Sequence, residues 1–120
     1  MRRQVRRRRF ECGPDRVRAW AEVAGDHNPL HLDPVFAATT RFGVPIVHGH
    51  LLAAMVANEL EDVLGPRLKD GGSVEIRFRA PVPVGSAVWV TISSAGDEPV
   101  SASAAVDETE VLDITVREAS

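Results

Sequence analysis

The chain predicts an α+β fold in which an antiparallel sheet wraps on one long helix. Three observations carry this. From about Gly49 to Leu64, apolar residues recur at helical spacing. After them come four stretches that alternate apolar and polar residues, as half-buried strands do, with short turns between. Before them lie one further alternating stretch, a shorter helix and an irregular loop. Consecutive strands joined by short turns pair antiparallel. A long helix with an apolar stripe must bury that stripe on the sheet.

Val5 to Phe10 reads as the first strand, although its arginines blur the alternation. Gly13-Pro14-Asp15 opens a helix, since proline suits the first turn and aspartate complements its positive end. Val17, Trp20, Ala21 and Ala24 give that helix one apolar face, and Gly25 ends it. Asn28-Pro29 resists helix, because the proline ring pushes the preceding residue into extended geometry. The segment from Ala24 to Pro34 is therefore expected to be irregular. Pro34 to Thr40 predicts another short helix anchored by Val35, Phe36 and Ala38, and Phe42-Gly43-Val44-Pro45 a turn.

The long helix carries Leu51, Leu52, Met55, Val56, Leu60, Val63 and Leu64 on one stripe. Ala53, Ala54 and Ala57 favour helix and close packing, and Gly65-Pro66 is a stop. Val74 to Arg79 alternates strictly, so one face is expected to pack and the other to meet water. Pro81, Pro83 and Gly85 break and turn the chain. Ala87 to Ser93 follows, alternating around Val88, Val90 and Ile92 or around Trp89 and Thr91. Gly96 to Pro99 predicts a hairpin connection between this strand and two more, Val100 to Val106 and Val111 to Val116. No repeat, low-complexity segment or linker interrupts residues 1–120, which read as a single domain.

At 44% hydrophobic and 26% charged residues, the composition is that of an ordinary globular protein. A net charge of −3 argues against a nucleic-acid partner. Arg2, Arg3, Arg6, Arg7, Arg8 and Arg9 crowd the start, where they suit the solvated face of an edge strand. Such a run also fits a phosphate-bearing substrate or carrier. Nucleic acid is the weakest reading, because no aromatic residues interleave. No apolar run follows the basic start, and no stretch is long and apolar enough to span a membrane. The single Cys12 cannot form an internal disulfide, which fits a reducing cytoplasm, and it reads as an incidental thiol.

The chemistry-bearing segment is Ala24-Gly25-Asp26-His27-Asn28-Pro29-Leu30-His31-Leu32-Asp33-Pro34. It gathers an acid, an amide and imidazoles on a loop between elements, where rigid scaffolds tend to carry function. Asp26 and His31 are the candidate acid–base pair. Taken singly, Asp26 could form a turn and His31 could be a structural histidine. His27 is expected to face solvent, and Asp33 to cap the Pro34 segment. Asp26, His31, His48 and His50 could ligate a metal by residue type, but no standard ligand spacing appears and no metal is expected.

Gly25-Asp26-x-Asn28-Pro29-x-His31-x-Asp33-Pro34, then Ala37-Ala38-Thr39-Thr40, Phe42 and Pro45-Ile46-Val47-His48-Gly49, resemble the hydratase signature of the MaoC-like family. That family includes R-specific enoyl-CoA hydratases and related dehydratases. The resemblance is dense from about Trp20 to Leu64, weaker from Gly72 to Pro83 and faint beyond. It implies a hot-dog fold and reversible hydration of a trans-2-enoyl thioester to the (3R)-3-hydroxyacyl thioester. It maps the catalytic pair onto Asp26 and His31, and the oxyanion donor onto the backbone N–H of Gly49. Asn28, His48 and His50 become expected substrate-side residues, with His48 also suited to bracing the start of the long helix. His50 stands where methionine is common, and Ala57 replaces a small polar residue of some members. The segment between Leu68 and Pro81 and the C-terminal strands are short, which bears on the acyl pocket.

The implied substrate carrier is coenzyme A or the phosphopantetheine of an acyl carrier protein, and no other cofactor is implied. A homodimer is expected. A pathway-specific dehydratase of polyketide or natural-product synthesis is a close variant. A hot-dog thioesterase usually lacks this Asp-x-Asn-Pro-x-His arrangement, and a non-catalytic partner subunit would more readily have lost Asp26 or His31.

Overall fold

A computed structural model describes residues 3–65, 73–95 and 100–117. Its elements are β1 (Arg3–Cys12), α1 (Pro14–Ala24), α2 (Pro29–Leu32), α3 (Pro34–Ala37), α4 (Gly49–Leu64), β2 (Ser73–Phe78), β3 (Ser86–Ala95), β4 (Ser101–Val106) and β5 (Thr109–Arg117). The strands form one antiparallel sheet in the order β1-β3-β4-β5-β2. The long helix packs on the central strands β3 and β4. Its Leu51, Leu52, Met55, Val56 and Leu60 meet Val88, Val90, Ile92, Ala102 and Ala104 in one core. This is the α+β arrangement that the periodicity predicts. Arg2, Pro66, the Leu68–Gly72 part of the short segment and the Gly96–Pro99 hairpin lie outside the described residues.

The loop between α1 and α4 is more regular than expected. Gly25 closes α1 in the left-handed region at φ 69°, a conformation that favours glycine, and its N–H bonds to Ala21 O. Asn28 is extended, as the residue before proline must be, yet a single-turn helix begins right after it. The reason is capping. The Asn28 side-chain oxygen accepts from Leu30 N at 3.0 Å, and Pro29 occupies the first helical position. Asp33 repeats the device before Pro34, accepting from Val35 N at 2.9 Å. The proline rule thus limits Asn28 and leaves Pro29 onward free to coil.

Two packing expectations are corrected. In α3 the buried anchor is Ala37, whereas Val35 is 79% and Phe36 42% exposed. One turn gives too little length to turn a three-residue apolar stripe inward. In β2 every residue is exposed, including Val74, Ile76 and Phe78 of the expected packed face. This strand is at the sheet edge, paired only with β5, and α4 packs over β3 and β4.

The opposite edge is β1, in keeping with the edge-strand reading of the arginines. Its register places Arg6, Arg8 and Phe10 opposite Ile92, Val90 and Val88, all buried. Arg6 and Arg8 therefore point toward the helix side, where both meet the buried Glu59 of α4. Inward-pointing charge is one way an edge strand avoids pairing with another sheet.

Candidate active site

Asp26, His31, His48, Gly49, His50 and Phe78 line one open cleft of about 270 Å³. The loop carrying Asp26 leaves α1 at Gly25, and Asp26 N bonds to Ala21 O at 3.1 Å. The Asp26 carboxylate accepts from Asn28 N at 3.3 Å through Oδ1. Its other oxygen, Oδ2, faces His31 Nε2 at 4.0 Å.

His31 sits on α2 with a mostly buried side chain. Its Nδ1 lies 2.8 Å from Ile46 O. A carbonyl only accepts, so the neutral ring carries its proton on Nδ1 and leaves Nε2 bare. The two groups that face each other across 4.0 Å are then both acceptors. Too far apart for a direct hydrogen bond, they suit one oxygen that donates a hydrogen to each.

His48 stands at the N-cap of α4 and is 1% exposed. Its ring stacks on His31 with centroids 3.8 Å apart and planes 27° apart. Its Nε2 donates to Asp26 O at 3.0 Å. The His48 side chain makes no capping bond, and Gly49 N–H takes no partner among the described residues. A helix start with a free N–H and a favourable dipole opens on the cleft beside the Asp26–His31 gap.

Phe78 is a site residue that sequence reasoning did not single out. A Cβ on Gly49 would meet its Cε1 at 3.2 Å, so the glycine admits the ring. The signal was faint, an aromatic closing an alternating strand, because Gly49 lies far away in the chain. His50 lines the cleft and is exposed. Asn28 lies outside this lining, with its side-chain oxygen holding α2. His27 is exposed and pairs with Glu22, as expected of a solvent-facing position.

Ligating atoms of Asp26, His31 and His48 lie within 4.8 Å of one another. Of the ring nitrogens, His31 Nδ1 and His48 Nε2 are already spent on the backbone carbonyls of Ile46 and Asp26. Cys12 is buried in the core against Met55, and burial pushes its thiol up, away from the thiolate a nucleophile needs.

Known proteins share this fold. The family described as the MaoC like domain matches residues 2–115. An (R)-specific enoyl-CoA hydratase of Aeromonas caviae is 41% identical over 96 residues, 74% of this chain and 69% of the relative. A 3-hydroxybutyryl-CoA dehydratase of Methylorubrum extorquens is 42% identical over 89 residues, 71% of this chain and 54% of the relative, so the chain spans about half of that protein. A solved (R)-hydratase from A. caviae, described as involved in PHA biosynthesis, aligns with a TM-score of 0.78 at 31% identity, covering 94% of this chain and 92% of that one. The wrapped sheet is accordingly a hot-dog fold, and the chain belongs to the MaoC-like domain family.

Proposed function

We propose that the protein catalyses reversible addition of water to a trans-2-enoyl thioester, giving the (3R)-3-hydroxyacyl thioester. The observation that carries this is the Asp26–His31 pair, two acceptors 4.0 Å apart beside the free Gly49 N–H. Water bound in the gap donates one hydrogen to each. In hydration a proton leaves that water for the pair as its oxygen attacks the β-carbon. The same proton then reaches the α-carbon. Negative charge moves onto the thioester oxygen, where Gly49 N–H and the α4 dipole stabilise it. Dehydration runs the same steps backward. In this reading the thioester supplies the acidity and water the hydroxyl, so neither metal nor organic cofactor is needed beyond the substrate's coenzyme A or phosphopantetheine.

The stereochemistry rests on the R-specific relative and the family resemblance. The unit of function is a homodimer. Val74, Ile76 and Phe78 leave one apolar side of edge strand β2 exposed at 46%, 41% and 55%, and a second copy of β2 would cover it. Among the described residues no helix is long and apolar enough to cross a membrane. A cytoplasmic location accords with the single buried thiol.

The test is ultraviolet absorbance of short and medium trans-2-enoyl thioesters, wild type beside Asp26→Asn. The amide keeps one oxygen for the Asn28 N–H but turns an NH2 toward the water site, where a proton acceptor is required. Loss of the conjugated band with wild type, without free thiol, is expected. The variant should be slower by about 10²–10⁴-fold at unchanged stability. Release of free thiol would mean hydrolysis instead, and a fully active Asp26→Asn would overturn the mechanism.

A further inference from the structure

We propose that His48 is a positioning residue that ties the Asp26 loop to the oxyanion end of α4. This rests on the hydratase reading above. Two local rules are broken at this residue. N-cap positions favour Ser, Thr, Asp or Asn, whose side chains satisfy the first N–H groups of a helix; His48 occupies the N-cap and makes no such bond. A buried polar atom normally has a hydrogen-bond partner, because leaving it without one costs free energy. His48 is 1% exposed, and its Nδ1 has none among the described residues. An aliphatic side chain would fill the space without that cost. Departures of this kind concentrate at functional sites.

The return for these costs is geometric. His48 Nε2 donates to Asp26 O, holding the backbone from which the carboxylate projects. The face of its ring supports the His31 ring at 3.8 Å, and the other anchor of His31 is Ile46 O, two residues before His48. The His48 carbonyl accepts from Leu52 N at 3.2 Å, starting the helix whose first N–H belongs to Gly49. Acid, imidazole and oxyanion donor are thus all referenced to residues 46–49. Misplacement by about 1 Å in such a constellation costs on the order of 100-fold in rate. His48 is 1% exposed at the base of the cleft and holds Asp26 and His31, so its loss should lower kcat and leave KM nearly unchanged.

Three variants separate the two contacts. His48→Phe keeps a flat ring for His31 and removes the donor to Asp26 O. His48→Gln restores a donor on an unbranched side chain, and His48→Met matches its length without one. Steady-state kinetics and thermal midpoints are measured for each with the best enoyl thioester. The expected result is a kcat roughly 10- to 100-fold lower in His48→Phe, with KM within about threefold of wild type. His48→Gln should exceed His48→Met in kcat by about tenfold at matching thermal midpoints, and this comparison stands alone if the phenylalanine variant fails to fold. A His48→Phe enzyme with wild-type kcat would overturn the proposal. Equal kcat for Gln and Met, or losses that merely follow the thermal midpoints, would do the same. Inactive wild type on every enoyl thioester is a different outcome and overturns the hydratase reading itself.

Discussion

Arg8→Ala tests how the arginine strand is held to the helix. Arg8 Nη1 donates to Glu59 Oε1 at 3.1 Å, and Arg6 Nη2 lies 3.2 Å from Glu59 Oε2. The carboxylate is 1% exposed, whereas the Arg8 and Arg6 side chains are 57% and 44% exposed. That asymmetry sets the ranking of variants, because a freed arginine returns to water and a freed buried carboxylate does not. Arg8→Ala takes away a hydrogen bond to the carboxylate but leaves Arg6 beside it, a loss of about 1–3 kcal/mol. Removing both arginines strands a buried charge and should approach ~3–5 kcal/mol. Glu59→Gln leaves two half-exposed arginines to hydrate and should cost only about 0.5–1.5 kcal/mol. Urea unfolding at several protein concentrations reads these values as midpoint shifts at constant slope. The reasoning fails if Arg8→Ala is neutral, or if Glu59→Gln costs more than the double arginine variant. Either result would return Arg6 and Arg8 to the phosphate-binding reading of the run.

Ile76→Glu places a carboxylate on the exposed apolar side of β2 and should convert a dimer to a monomer, read as a halved mass by light scattering. A wild-type protein that is already monomeric at micromolar concentration would refute the dimer. Asp113 gives an acid-side prediction. A side-chain hydrogen bond from Arg79, with further attraction from Arg77, holds its carboxyl below the usual carboxylate range. A depressed native value means the stabilisation is complete above the unfolded-state value, about pH 3.9, and is lost as pH falls through the native one. Asp113→Asn should therefore be less stable than wild type at pH 7, and the gap should close below about pH 4. A gap that widened in acid, in denaturant midpoints measured across pH, would contradict this assignment.

Much of the fold was legible because local signals agreed. Apolar spacing and Gly65 bounded α4 at Gly49–Leu64, and Gly25 ended α1 in the left-handed conformation that suits glycine. Asp26 and His31 were legible as a pair from a motif five residues apart, and the fold brings them to one cleft. Periodicity reports which face of an element is apolar, not whether anything covers it. That is why strict alternation in β2 predicted burial, and why exposed Phe36 read as an anchor. Contacts between distant segments leave no local trace either. His48 to Asp26 O spans 22 residues, and no spacing rule links a histidine to a carbonyl.

The arginines show the same limit from the other side. Their alternation looked blurred because Arg6 and Arg8 occupy positions that face the helix, where apolar residues are expected. The charge that makes those positions tolerable is Glu59, 51 residues beyond Arg8. Arg8 and Glu59 each look misplaced on an apolar face when read alone. Together they dock β1 on the middle of α4, the helix whose first N–H the proposed reaction uses. The pair therefore belongs to the scaffold that joins β1 to α4, and among the described side chains of the run Arg7 and Arg9 are the ones on the outer face of the sheet. Arg7 lies over the Trp89 ring, 4.7 Å from its centroid, and Arg9 pairs with Glu11. Stacking uses the face of the Arg7 guanidinium and leaves its N–H edges to solvent.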